Sequence, residues 1–188
     1  MTSKRCFDLI LASIAAIILL VPFVIVALLV RVTSKGPILY WSHRVGKNNS
    51  LFLMPKFRSM WVDTPVVATH LLNNPETLLT PIGSFLRKSS LDELPQLWTI
   101  FKGEMSFVGP RPALFNQDDL ISQRTTAGVH MLTPGLSGWA QINGRDELPI
   151  PQKVAFDVEY MKRQSFWFDL KIILLTLLKV LRKDGITH

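Results

Sequence analysis

The sequence predicts an α+β fold, predominantly helical and built onto a membrane. Three observations predict it. Residues 9–30 run for 22 positions without a charge, the length that a bilayer core asks of a helix. Ile38-Leu39-Tyr40-Trp41 and Leu51-Phe52-Leu53-Met54, on either side of a Gly46-Lys47-Asn48-Asn49 turn, read as a small β-hairpin. Downstream, residues 153–163 and 166–182 read as further helices, and Leu94, Leu97, Trp98 and Phe101 have the spacing of one helical face.

The composition agrees. Hydrophobic residues make up 48% of the 188, and the mean hydropathy is +0.26. A formal charge of +7 favours an anionic partner: phosphate, nucleic acid or an acidic lipid surface. Cys6 is the single cysteine, so no intrachain disulfide forms and nothing points to an oxidising compartment. His43, His70, His130 and His188 lack metal-ligand spacing, and no zinc site is expected.

Taken in order, residues 9–30 are interrupted only by Ser13 and Pro22. Pro22 has no N–H for the Ile18 carbonyl and should kink the helix there. The arm before it, residues 9–21, reaches only ~20 Å against a core of ~30 Å. Lys4 and Arg5 precede the run, and Arg31 and Lys35 follow it, so the positive-inside rule favours both ends in the cytoplasm. A kinked, re-entrant helix meets that demand; a straight span does not. Gly36-Pro37 ends the segment and divides the chain into 1–35, the membrane helix, and 36–188. Lys56, Arg58 and Arg44 place cations on or beside the hairpin. Residues 61–80 carry Pro65, Asn73, Asn74 and Pro75 without clean periodicity and read as a loop with one helical turn. Residues 82–88 read as a short helix.

The stretch 86–98 organises the rest. It sets Arg87 and Lys88 just before the adjacent carboxylates Asp92 and Glu93. Ser90 with Glu93 three residues later fits a capping box, in which both acids sit in a first turn that the dipole favours. Pro95 argues for a later start, because a helix from Asp92 puts it in the first turn, where no donor is needed. Asp92 then sits at a helix mouth, where N–H groups and Arg87 can hold an anion. The residues alone leave capping and catalysis both open.

Gly103 is the expected stop of the next helix. Pro110 and Pro112 fix the backbone on either side of Arg111, which then loses little freedom on gripping a phosphate or a base; a purely structural turn is the alternative. Residues 117–124 read as a helix. The glycine-rich stretch 133–145 carries polar groups able to line a site but is neither a P-loop nor a GxGxxG motif. Asp157 and Tyr160 share a helical face. Residues 166–182 start aromatic and carry Lys171, Lys179 and Arg182, which suits a helix in the membrane interface or one docked on the core.

With these motifs placed, the chain resembles the small monotopic phosphoglycosyl transferases, bacterial sugar transferases of the undecaprenyl-phosphate sugar phosphotransferase type. The resemblance begins at Lys4-Arg5-x-Phe7-Asp8. It runs through Gly36-Pro37, Lys56-Phe57-Arg58-Ser59-Met60, residues 86–97 and residues 102–112. It closes on residues 134–145, Asp157, Tyr160 and Asp169. Ser137 stands where many relatives have Thr, which keeps the hydroxyl. No further N-terminal spanning domain is expected, as in the minimal catalytic form.

The resemblance implies a monotopic protein on the cytoplasmic face of the bacterial inner membrane, with a re-entrant helix broken at Pro22 and a catalytic domain over 36–188. It implies transfer of a sugar 1-phosphate from a UDP-sugar to polyprenol phosphate, with release of UMP, as the first membrane step of a glycoconjugate pathway. Magnesium is the implied cofactor. Asp92 and Glu93 are the implied catalytic dyad and metal ligands, with Asp92 as nucleophile and Glu93 either holding magnesium or activating the acceptor phosphate. Lys56, Arg58 and Arg87 are expected on phosphate, and Pro110, Arg111, Pro112 and Arg145 at the nucleotide end. Asp157 and Asp169 are expected as supports of the substrate site. Sugar choice is expected in residues 61–80 and 146–152. A basic, membrane-anchored binding module would explain the charge but not the Asp92-Glu93 pair, and the aromatic-interleaved stripe of a nucleic-acid binder is missing. A lipid phosphatase is the remaining enzyme class.

Overall fold

Pro22 sets the shape of the N-terminal segment. In the computed structural model, which describes residues 3–67, 74–144 and 148–182, the apolar run is not one rod. It forms helix α1 (Ser3–Ile18) and helix α2 (Leu20–Thr33), bent by 63° at Leu19. The bend falls where the proline ring would meet the Ile18 carbonyl and where the missing N–H breaks the ladder. Pairing resumes at once, since Phe23 N donates to the Leu19 carbonyl at 2.8 Å. Among the described residues no single helix is long and apolar enough to cross a membrane, and only this bent pair meets that test together.

One side of the pair packs on the body of the protein. Ala12 joins Phe52, Met54, Ile100 and Met105, while Val26 and Val30 join Phe57 and Leu86. The other side leaves Ile10, Ile17, Leu20, Val21, Leu28 and Val32 exposed. Polar groups pin both ends. Lys4 pairs with Asp169, and Arg5 donates to the Ile100 and Phe101 carbonyls at the end of a later helix. Asp8 accepts from Ser106 Oγ at 3.0 Å and from Phe107 N at 3.1 Å. At the far end Arg58 donates to the Ser34 carbonyl and hydroxyl, both at 2.8 Å, and to the Lys35 carbonyl at 2.6 Å. Lys4 and Arg5 are therefore spent inside the fold and are not free flanking charges.

Strands β1 (Leu39–Val45) and β2 (Leu51–Phe57) form the expected antiparallel hairpin, with Leu39 opposite Phe57 and Val45 opposite Leu51. The strands run further than the apolar runs suggest, so Pro55 and Lys56 lie within β2. A two-stranded sheet has only edges, which is where a strand tolerates proline. Beyond the hairpin Pro75–Leu78 form a 3-10 turn and Met60 bridges to Leu79, while residues 68–73 of the expected loop lie outside the described residues.

Helix α3 (Gly83–Ser89) and a 3-10 turn (Leu91–Gln96) lead into α4 (Leu97–Lys102), which Gly103 ends in the left-handed conformation at φ 84°. Strand β3 (Ser106–Val108) then pairs in parallel with β4 (Gly135–Ser137), across helix α5 (Asp118–Thr126). Three-residue strands leave no periodicity, so this pair was not expected. Close backbone approach makes it possible: a Cβ on Gly135 would lie 2.1 Å from Gly109 N, and one on Gly138 would lie 2.2 Å from Gly109 O. Gly135 and Gly138 thus serve packing behind the Gly109-Pro110 turn.

Helices α6 (Trp139–Ile142), α7 (Ile150–Arg163) and α8 (Phe166–Arg182) complete the body. Phe168 and Ile172 of α8 dock beside Val108 and Tyr160, while Trp167, Leu174 and Leu177 of the same helix stay exposed. Core docking thus uses one face of α8 and leaves an apolar face outward.

Candidate active site

Ser90 decides the local geometry. Its backbone is left-handed, at φ 58°, and its N–H closes α3 on the Arg87 carbonyl. An N-cap needs an extended backbone to turn its side chain onto the next N–H groups. Ser90 therefore makes no side-chain cap, and the capping box is not formed. No α-helix starts at Asp92 either; residues Leu91–Gln96 form a 3-10 turn with Pro95 inside it. Neither the capping box nor an α-helix beginning at Asp92 is formed. What replaces them is a tight turn packed on β2 that holds Asp92 in the interior, 7% exposed, and Glu93 at its edge.

Cations from three elements converge on the pair. Lys56 of β2 places Nζ 2.7 Å from Glu93 Oε1 and 3.7 Å from Asp92 Oδ2. Arg111, from the turn after β3, donates Nη2 to the same Glu93 oxygen at 3.0 Å. Arg87 of α3 donates to Met60 Sδ at 3.3 Å and adds its charge to the field on Asp92.

The same neighbourhood drives the two acids apart. Burial raises the Asp92 carboxyl above its ordinary value; Lys56 opposes this, and the charge of Glu93 adds to it. Burial would raise Glu93 too, but the charges and hydrogen bonds of Lys56 and Arg111 outweigh it and hold that carboxylate well below the usual range. Two adjacent carboxyls pushed in opposite directions mark distinct roles. Glu93 is a fixed anion that organises two cations. Asp92 is the more basic oxygen, and an ionised carboxylate of that kind can attack phosphorus. Lys56, Arg87 and Arg111 supply the positive field that a phosphoryl group needs.

The backbone that carries Arg111 is tied at four consecutive carbonyls. Pro110 O accepts from Gly135 N at 2.9 Å, Arg111 O from Arg124 Nη1 at 2.7 Å, Pro112 O from Arg44 Nη1 at 3.2 Å, and Ala113 O from Val45 N at 2.9 Å. Pro110 and Pro112 are themselves buried and frame the turn. Arg111 lies on the dyad itself.

Other expected site residues stand elsewhere. Arg58 is 4% exposed and its guanidinium is spent on the end of α2, so its side chain braces that helix. Asp157 is buried and accepts from Arg124 Nε at 2.9 Å and Nη2 at 2.7 Å. Asp169 is held by Lys4 and by the Tyr160 hydroxyl, at 2.8 Å from the latter. Neither aspartate reaches Asp92 or Glu93; both are spent within the fold because each already has a buried partner. Arg145 lies outside the described residues. Arg124 was missed, and Arg44 was placed beside the hairpin but not on the Arg111 turn, since nothing local in a sequence marks an arginine whose partners are distant.

Among the described residues, no group of three His, Cys, Asp or Glu side chains could hold a metal. Asp92 and Glu93 offer two carboxylates, which is what magnesium takes when substrate phosphates complete its shell. The donor set fits on those terms, and Glu93 would hold the ion while keeping Lys56 and Arg111.

Residues 1–183 match the family described as bacterial sugar transferase. The chain belongs to that family. It is 38% identical, over 94% of its length, to the UDP-glucose:undecaprenyl-phosphate glucose-1-phosphate transferase of Escherichia coli, of which it covers 39%. It is 36% identical, over 97%, to the undecaprenyl-phosphate galactose phosphotransferase of Salmonella typhimurium, of which it covers 41%. It is also 39% identical, over 99%, to the uncharacterized sugar transferase EpsL of Bacillus subtilis, of which it covers 91%. The chain therefore spans about two fifths of the first two relatives and nearly all of the third. The dyad, the Arg111 turn and the glycine-rich stretch all fall inside the family match.

Proposed function

We propose that this chain transfers a sugar 1-phosphate from a UDP-sugar to polyprenol phosphate and releases UMP. The observation that carries the reading is the split dyad: a buried, basic Asp92 beside a fixed Glu93, ringed by Lys56, Arg87 and Arg111. An Asp92 carboxylate oxygen attacks the phosphorus that bears the sugar. The bond from that phosphorus to the bridging oxygen breaks, and the electron pair leaves with UMP. The Asp92 acyl phosphate then holds the sugar phosphate. An oxygen of polyprenol phosphate attacks the same phosphorus, the bond to Asp92 breaks, and the carboxylate returns. Lys56, Arg87 and Arg111 offset the negative charge of both phosphorylated substrates, and Glu93 keeps two of those cations in place. Magnesium, when bound by Asp92 and Glu93 with the substrate phosphates, supplies further charge neutralisation.

The donor is in water and the acceptor is in lipid, so the site must sit at their boundary. The exposed apolar side of α1 and α2 and the outward face of α8 are the surfaces that would lie in lipid. Lys4, Arg5, Asp8 and Arg58 bind both ends of residues 1–35 to one body, which supports a re-entrant segment with both ends on the cytoplasmic face of the inner membrane. The place this gives the enzyme is the first membrane step of glycoconjugate assembly.

UMP release from a panel of UDP-sugars, with polyprenol phosphate and magnesium, tests the reading. UMP should appear only with an accepted sugar, and a chelator should stop turnover until magnesium is restored. Inorganic phosphate released without any nucleotide sugar would instead make the protein a lipid phosphatase.

A further inference from the structure

Behind the Arg111–Glu93 contact stands a residue that reaches the Arg111 backbone but neither of the two side chains. Arg124 lies on α5, 7% exposed, and uses all three of its guanidinium nitrogens. Nε and Nη2 both meet Asp157 Oδ2 on α7, at 2.9 and 2.7 Å, while Nη1 donates to the Arg111 carbonyl at 2.7 Å. The Arg124 side chain is 8% exposed and that of Asp157 is 1% exposed. A buried fork of this kind has one orientation, because its planar donors must all be met at once. The space beside it, lined by Arg111, Arg124, His130 and Pro134, is about 30 Å³. That is water-sized and not nucleotide-sized, so the back of the turn is a packed support.

We propose that Arg124 is a positioning residue: clamped by Asp157, it fixes the Arg111 backbone so that the Arg111 guanidinium meets Glu93. The other three carbonyls of the turn are tied to β1 and to the start of β4. The tie at Arg111 is the one made at the residue that carries the functional side chain. Its donor comes from a helix pair that has no other part in the site. A burial need alone would be met by Asp157 and Arg124 pairing with each other; the third bond reaches past that pair to the turn.

The test rests on the transfer reading for its activity arm and is independent of it in a second arm. Removing Arg124 alone would strand a buried Asp157, so the variant is Arg124→Met with Asp157→Leu, which removes both charges and keeps volume. Arg124→Lys is the companion variant, which keeps the charge beside Asp157 and loses the fork. Each is made in the parent and in an Arg111→Met background, with thermal melting as the folding control. In the parent, kcat/KM should fall roughly 10- to 100-fold, a loss of the size expected when a charged contact near the reacting group is misplaced. In the Arg111→Met background the same changes should cost less than about 3-fold, since residues acting through one another are not additive. Equal losses in both backgrounds would reduce Arg124 to a stabilising pair, and no loss in the parent would show the turn held without it. The second arm is hydrogen exchange at residues 109–114, which should quicken in both variants. Unchanged exchange overturns the proposal whatever the substrate. Quickened exchange in a protein that transfers no sugar phosphate leaves the positioning intact and overturns the transfer reading.

Discussion

Two clusters of charge, one at the start of α1 and one at the dyad, use similar residues to opposite ends. At the start of α1, Lys4 is matched to Asp169, Arg5 to two carbonyls and Asp8 to Ser106 Oγ and Phe107 N. At the dyad three cations face two carboxylates, and both Lys56 and Arg111 converge on one oxygen of Glu93. Asp92 keeps only a 3.7 Å approach from Lys56, longer than a hydrogen bond. Charge in the first cluster is spent on holding the N-terminal helix pair to the body. In the second, burial raises the Asp92 carboxyl while Lys56 and Arg111 hold Glu93 ionised. A cluster matched within the fold points to architecture, and cations gathered from three elements on a basic carboxylate point to chemistry.

The largest expected effect separates the clusters cleanly. Asp92→Asn keeps shape but removes the nucleophile, and turnover should fall by at least ~10³-fold. Because it also removes a buried charge that the fold does not favour, its melting temperature should be equal to or above that of the parent. A melting temperature lowered by several degrees would move Asp92 into the architectural class.

Lys56→Met comes next, with a loss of roughly 10²-fold in kcat/KM, and pH sharpens it. Asp92 must be ionised to attack, and burial raises its carboxyl, so activity should fall as pH drops through a value above the ordinary 3.8. Lys56 opposes that rise, so Lys56→Met should move the acid limb of the pH–rate profile to still higher pH. A limb that stays in place would mean that another group sets it. Glu93 carries the opposite sign: its folded carboxyl lies below the ordinary 4.5, so its stabilisation is present above that value and is lost as pH falls through the folded one.

The smallest effect on catalysis belongs to the α1 cluster. Asp169→Asn weakens the Lys4 pair and its bond from Tyr160, and should cost about 2–3 kcal/mol of stability in denaturant unfolding, at the low end for a buried pair because Lys4 is 25% exposed. Turnover per folded molecule should stay within about 2-fold. A catalytic loss with unchanged stability would return Asp169 to the substrate site, where the sequence placed it.

Features coded over a few residues were legible in the sequence. The Pro22 bend, the hairpin around Gly46, the Gly103 stop and the helices on either side follow from local rules. The adjacent carboxylates and the arginine between two prolines stood out in the sequence, but the residues alone left a cap and a structural turn open beside chemistry. The turn at Ser90 was not, because its left-handed backbone competes with the N-cap that its sequence suggests. Arg58 was misread because a buried and a phosphate-bound arginine look alike until their partners are known. The remainder lay beyond local rules altogether: Lys56 is 37 residues from Glu93, Arg124 is 33 from Asp157, and β3 meets β4 only through glycines far apart in the chain.

The most direct test of Asp92 as nucleophile is the intact mass of the protein after mixing with an accepted UDP-sugar and magnesium, with no lipid acceptor. The account predicts a gain of one sugar phosphate, release of up to one UMP per enzyme, and a fragment map that places the added mass on Asp92. A protein that stays unmodified yet turns over once polyprenol phosphate is added, or an adduct that maps to Glu93, would contradict it.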